Sequence, residues 1–265
     1  MANHDYEFVT TEVRDQVFLI GLNRPKKMNG MNLQMMKDLA AAYGEFEDAS
    51  DVRVGLVFAH GDHFCAGLEL DDCAETLMSP LSDGFIPEGG RDPWGILTPR
   101  PSRPVVACVN GVCLTVGIEL CLASDIVVAS TSSRFQQLDI SRGIYPFGGA
   151  TIRWPLACGY QNAMKYLLTG DSLDVEEAHR IGLVQDVVEP GQVFDHAMAI
   201  ALRIAAHAPR GVEATLRTAR RMQDHGQAVG ADALYPQIRS IYPTEDAQVG
   251  IKTFLDKERP IFSGQ

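Results

Sequence analysis

The chain has 265 residues, 46% hydrophobic and 22% charged, with a formal net charge of −11. That balance fits one large globular domain, or a main body with a smaller appendage, and excludes a disordered or low-complexity chain. The acidic charge argues against a nucleic-acid footprint or an anionic membrane surface, and no apolar run approaches the ~20 residues that span a bilayer.

The first stretch, MANHDYEFVTTEVRDQ, is polar and acidic, unlike a signal or transit peptide. QVFLIGLNRP (16–25) predicts a strand ended by Pro25. Residues 31–50 carry helical periodicity with Asn32 as N-cap, and VRVGLVFAHG (52–61) predicts the next strand. Strand, helix and strand in this order indicate a βαβ crossover and a largely parallel sheet. Residues 71–103 are rich in Pro and Gly and read as a long irregular insertion or a broken helix, of the kind that forms lids and binding loops. A strand over 104–111, a short helix around 117–124 and a strand over 125–130 follow.

From about residue 160 the pattern turns helical, with Gly170 as a C-cap. DVEEAHRIGLVQDVVEP reads as a helix and a short strand, and three amphipathic helices follow. The last has Thr244 as N-cap and Pro260 as its stop. Cys65, Cys73, Cys108, Cys113, Cys121 and Cys158 form no C-x-x-C pair, which predicts reduced thiols in a cytoplasmic protein.

Three stretches could carry chemistry. GDHFCAGLEL (61–70) is a turn leading into a helix, where exposed backbone N–H groups can bind an anion or oxyanion. NGVCLTVGIEL (110–120) repeats that pattern and sets Glu119 among small and apolar residues. A buried carboxylate there needs a partner, water or a function. FQQLDISRGIYPFGGA (135–150) places Asp139 before glycines that let a ligand approach the backbone. Each stretch taken alone reads more readily as an ordinary turn, cap or paired carboxylate.

His60 and His63 share a turn but lack a third metal ligand. The chain has no P-loop, G-x-G-x-x-G or G-x-S-x-G. RTARRMQ (217–223) is basic and reads as one solvated helix face.

Taken together, LNRPKKMNGMN, FCAGLEL, RPVVACVNGVCLTVGIEL, RGIYPFGGATIRWPLACG and YLLTGDSLDVEEAHRIGLVQDVV resemble the successive motifs of the enoyl-CoA hydratase/isomerase (crotonase) family. The resemblance implies an α/β fold, a crotonase-like spiral of ββα units over residues 1–190. A C-terminal helical trimerisation region would occupy residues 191–265. It implies an acyl-CoA thioester as ligand, with no metal or redox cofactor, since coenzyme A is part of the substrate. The assembly would be a homotrimer or a hexamer made of two trimers.

Carried over position by position, the N–H groups of Leu68 and Val116 would bind the thioester oxygen, and Glu119 and Asp139 would be the catalytic carboxylates. Lys26, Lys27, Ala66, Leu70, Phe254 and Lys257 would hold coenzyme A, the last two often from a neighbouring subunit. Thr115-Val116-Gly117 stands where the family carries three glycines, and the valine side chain would narrow the acyl pocket. Asp139 is one methylene shorter than the family's usual glutamate. That withdraws the carboxylate by roughly 1–1.5 Å unless the loop compensates, a displacement that can cost ~100-fold in rate.

The expected reaction is hydration of a trans-2-enoyl-CoA to a 3-hydroxyacyl-CoA. Double-bond isomerisation, thioester or carbon–carbon bond hydrolysis, and acyl-CoA binding without catalysis are the alternatives. Phe85, Trp94 and Ile96 of the 71–103 insertion are expected to shape the acyl pocket.

Overall fold

The computed structural model describes residues 6–79 and 82–265. The expectations for residues 1–5, 80 and 81 lie outside the described residues. The strands are β1 (Val9–Arg14), β2 (Val17–Leu22), β3 (Val54–Ala59), β4 (Val105–Val109), β5 (Val112–Leu114), β6 (Ile126–Ser130), β7 (Arg134–Gln136), β8 (Ser172–Asp174) and β9 (Asp186–Val188). The helices up to residue 205 are α1 (Leu33–Asp48), α2 (Leu70–Met78), α3 (Val116–Ala123), α4 (Ala150–Cys158), α5 (Tyr160–Thr169), α6 (Val175–Ile181) and α7 (Val193–Ala205). Beyond them lie α8 (Pro209–His225), α9 (Gln227–Asp232), α10 (Leu234–Ile241) and α11 (Glu245–Asp256).

The main sheet runs β1-β2-β3-β4-β6-β9 and is parallel apart from the β1–β2 hairpin at its edge. All six residues of β2 are buried, as suits a strand covered on both faces. Met35, Leu39, Tyr43 and Phe46 of α1 pack on one face. Ala197, Ile200 and Ala201 of α7 pack on the other with Val54, Val106 and Val128. Thus α7, which lies beyond residue 190, covers the main sheet. A second sheet, β5-β7-β8, stands beside the first.

The expected caps form. Asn32 accepts a hydrogen bond from the Met35 N–H, Gly170 adopts φ +69°, and Thr244 accepts from the Ala247 N–H. The 71–103 stretch takes the second of its two expected forms: a helix, α2, that breaks off before the chain becomes irregular. One expectation changes. Pro260 does not stop the last helix: Lys257 ends it in the left-handed region at φ +59°.

His60 hydrogen-bonds Thr10 across the sheet edge, and His63 Nδ1 accepts from the Val112 N–H, so both turn histidines have structural partners. All six cysteines are free and buried. No helix among the described residues is long and apolar enough to cross a membrane.

Candidate active site

The two small-residue turns are brought together by one short parallel pairing. Cys65 N donates to Val112 O at 3.0 Å, Leu114 N donates to Cys65 O at 2.8 Å, and Cys65 and Cys113 form a parallel bridge. Leu68 and Val116 follow their bridge residues at the same offset, so both arrive at the same cavity.

The first turn is clamped from behind. Met31 N donates to Gly67 O and Glu69 N donates to Met31 O, both at 2.8 Å. Arg24 pairs with Glu69 at 2.6 Å and donates to Gly30 O. The Asn29 amide donates to the carbonyls of His60 and His63. Among the described residues neither Leu68 N–H nor Val116 N–H donates to a protein group. Val116 is the first residue of α3, where a helix leaves its N–H groups unmatched.

The second turn is strained. Thr115 sits at φ +45°, ψ −111°, a region that suits glycine, and it is β-branched. Its hydroxyl oxygen is buried with no hydrogen-bond partner. That oxygen lies against Gly67, where a Cβ would come within 2.6 Å of it. Thr115→Gly removes strain of ~1–3 kcal/mol against a chain-entropy cost of ~0.5–1 kcal/mol. We expect thermal denaturation to show a higher Tm for Thr115→Gly. A lower Tm would mean that the threonine contacts outweigh the backbone strain.

Glu119 lies in the first turn of α3 and is 1% exposed. Its Oε1 accepts from Ala150 N at 3.0 Å, and Gly148 packs so closely that a Cβ there would meet Oε2 at 2.6 Å. Burial pushes the Glu119 carboxyl up to about 7. The negative charge of Asp139 adds to that rise, while the N–H groups of Ala150 and Gly148 and the charge of Arg153 oppose it.

Asp139 opens the 3-10 turn Asp139–Arg142 and is buried; its Oδ2 accepts from the Gln137 amide at 2.7 Å. Burial raises its carboxyl too, and the Gln137 hydrogen bond opposes this. Both carboxyls are buried in the protein, and the charge of Asp139 reaches Glu119.

Two cavities meet here. One, of about 530 Å³, is lined by Lys27, Ala66, Leu68, Leu70, Val116 and Asp139, among others. The second, of about 630 Å³, is lined mainly by apolar groups, including the expected Phe85, Trp94 and Ile96. Leu70, Val116, Ile144 and Phe147 border both. Glu119 lines neither; it sits behind Val116 and Gly148, which do. Lys26 is exposed and outside both cavities. Phe254, 82% exposed, and Lys257 at the end of α11 also lie outside them.

Other contributors become visible only in three dimensions. The Trp94 indole N–H donates to Val116 O at 2.9 Å, which fixes the peptide plane at the start of α3. Asp92 accepts from the N–H groups of Trp94, Ile96 and Leu97 and folds the loop that walls the apolar cavity. An aspartate two residues before a tryptophan was the only signal for this, and it has many other readings. Arg153 reaches the carbonyls of Gly95 and Gly148 and biases Glu119 electrostatically.

Comparison with known proteins identifies the family. Residues 12–265 match the family model described as enoyl-CoA hydratase/isomerase. The chain is 32% identical to (E)-benzylidenesuccinyl-CoA hydratase of Thauera aromatica, covering 97% of this chain and 99% of that protein. It is 30% identical to 2,3-dehydroadipyl-CoA hydratase of Escherichia coli, covering 95% and 97%. Among solved structures, a probable enoyl-CoA hydratase/isomerase from Mycobacterium abscessus superposes with a TM-score of 0.94 at 44% identity, covering 98% of this chain and 100% of that one. The chain belongs to the enoyl-CoA hydratase/isomerase (crotonase) family.

Proposed function

We propose that this protein is an enoyl-CoA hydratase that adds water across the double bond of a trans-2-enoyl-CoA whose acyl group is apolar. The observation that carries the reading is the convergence at one cavity of two unmatched amides, Leu68 and Val116, with Asp139, while Glu119 lies one helical turn beyond Val116.

The thioester oxygen would sit between the two amides. Negative charge that develops on it as water attacks the β-carbon would be stabilised by donors already in place. Removing one such donor typically costs ~100–1000-fold in rate. The reaction requires Glu119 and Asp139 to carry one proton between them; burial raises both carboxyls, and the charge of Asp139 adds to the rise at Glu119. The ionised member takes a proton from water as the oxygen bonds to the β-carbon. The protonated member gives its proton to the α-carbon. The pair again carries one proton at the end, so the cycle balances.

The reaction needs no metal or redox step. Lys27, at the cavity mouth, suits the phosphates of coenzyme A. Phe254 and Lys257 would serve the site of a second copy in a trimer, a role supported by the exposed apolar side chains of Ile238, Phe254 and Leu255 on the C-terminal helices.

Isomerisation of a 3-enoyl-CoA is the second reading. It is favoured by Asp139 being the carboxylate that lines the cavity directly while Glu119 lies behind it. Product analysis separates the two. Formation of 3-hydroxybutyryl-CoA from crotonyl-CoA supports hydration. Turnover of 3-hexenoyl-CoA to 2-hexenoyl-CoA without hydration of either would replace it with isomerisation.

A further inference from the structure

A cavity of about 1100 Å³ lies between the 95–102 segment and α8, outside the acyl-CoA site. Arg100, Arg153, Arg217, Arg220 and Arg221 line it, with Glu213 and Asp224 as its carboxylates. This concentration of positive charge stands out on a chain of net charge −11. The basic stretch 217–223 is therefore not one solvated helix face, as its sequence suggests. Arg220 turns inward and pairs with both oxygens of Asp125 at 2.9 and 3.0 Å.

That pairing leaves the other inner arginines with weak partners only, and Arg100 donates to the Gln223 amide oxygen at a long 3.4 Å. Arg100 has one ion pair, to Asp224 at 3.9 Å, and the Asp224 side chain is 60% exposed. Arg153 has no ion pair among the described residues, and its contacts to the Gly148 and Gly95 carbonyls are long, at 3.5 and 3.3 Å. Burial and repulsion from Arg220 both act against the charge on Arg100 and on Arg153. Asp92, Asp224 and Glu119 attract Arg153 only at longer range. The Nε–H of Arg220 is buried with no acceptor. Guanidinium groups gathered out of bulk water need an anion, and their planar donor forks match phosphate oxygens.

We infer that this cavity binds a phosphate-type oxyanion, held chiefly by Arg100 and Arg153, at a site separate from that of coenzyme A. The volume accommodates inorganic phosphate with bound water, or pyrophosphate. Asp224 competes with the anion for Arg100.

Isothermal titration calorimetry of the full chain with inorganic phosphate and with pyrophosphate, at fixed ionic strength set by chloride, tests the site. The expected result is saturable binding that persists in saturating coenzyme A. Arg100→Gln should weaken it at least tenfold with kcat/KM for crotonyl-CoA unchanged, and Asp224→Asn should tighten it. The inference falls if neither anion binds saturably, if coenzyme A displaces them, or if both variants bind like the parent. Circular dichroism establishes that each variant is folded, and Asp224→Asn decides the matter if Arg100→Gln is not.

Discussion

Glu119→Gln is expected to lower kcat for hydration of crotonyl-CoA by ~100–10,000-fold, the usual range for loss of a general acid–base group, while raising thermal stability at pH 8. The two effects share one cause. The fold holds the Glu119 carboxyl protonated up to about 7, against an ordinary value of 4.5, chiefly by burial. Its contribution to stability is therefore full below the unfolded value and is lost as pH rises through the folded one. The loss is roughly 3 kcal/mol at most. Glutamine keeps an acceptor for the Ala150 N–H and never ionises, so it escapes that loss.

The same shift sets the pH profile. A pair that must carry one proton fails when the second carboxyl ionises, so kcat/KM should fall as pH rises past about 7. Arg153 favours the ionised form of Glu119. Replacing it by Gln should move the alkaline limb to higher pH. A limb that stays in place, or moves lower, would remove Glu119 from the titration. A Glu119→Gln protein that is inactive and also less stable at pH 8 would give Glu119 a structural role instead.

The second large effect concerns the acyl group. For acyl chains of equal length, we expect kcat/KM for an ω-carboxylated enoyl-CoA to be at least ~100-fold below that for its methyl-ended analogue. Met36, Leu77, Phe85, Trp94 and Phe147 line the apolar cavity proposed to take the acyl group, and among the described residues no cationic side chain does. Asp92 is its one charged lining residue. Three backbone N–H groups hold that carboxylate in place, at 2.9 Å to Trp94, 2.6 Å to Ile96 and 2.7 Å to Leu97.

An incoming carboxylate would lose its water and meet another negative charge. Leaving a charge buried without a partner costs ~3–5 kcal/mol. Trans-2-hexenoyl-CoA and 2,3-dehydroadipyl-CoA make the comparison at equal chain length, and steady-state kinetics with both reads it directly. Equal or reversed kcat/KM values would show that a cation reaches the cavity in the working assembly. Val116 borders both cavities. Val116→Gly should therefore favour bulkier acyl groups while leaving the amide donor in place.

Much of this arrangement is legible in the sequence, for identifiable reasons. The buried strands β2, β3 and β4 are continuous apolar runs, and Asn32, Gly170 and Thr244 cap α1, α5 and α11. These are local signals. The β1–β2 hairpin escaped notice because its two-residue turn, Asp15-Gln16, lacks the usual glycine, although both residues adopt positive φ at 49° and 66°. β1 is also only partly buried and rich in threonine and charge. The small sheet is built from three-residue strands, too short for any period to appear.

At the candidate site, the family motifs point to Leu68, Val116, Glu119 and Asp139. They could not show that Ala150 N–H and Gly148 close over Glu119, because those contacts cross from one element to another. Nor could they show that Arg220 turns inward to Asp125. A helix that is basic in sequence shows its solvated and buried faces only once it is docked.

A crystal structure of the protein with acetoacetyl-CoA bound tests the central claim most directly. The hydratase reading predicts the thioester oxygen at about 2.7–3.1 Å from both the Leu68 and Val116 nitrogens, with the β-carbon facing Glu119 and Asp139. A thioester oxygen that touches neither amide, or an acyl chain directed away from both carboxyls, would contradict it.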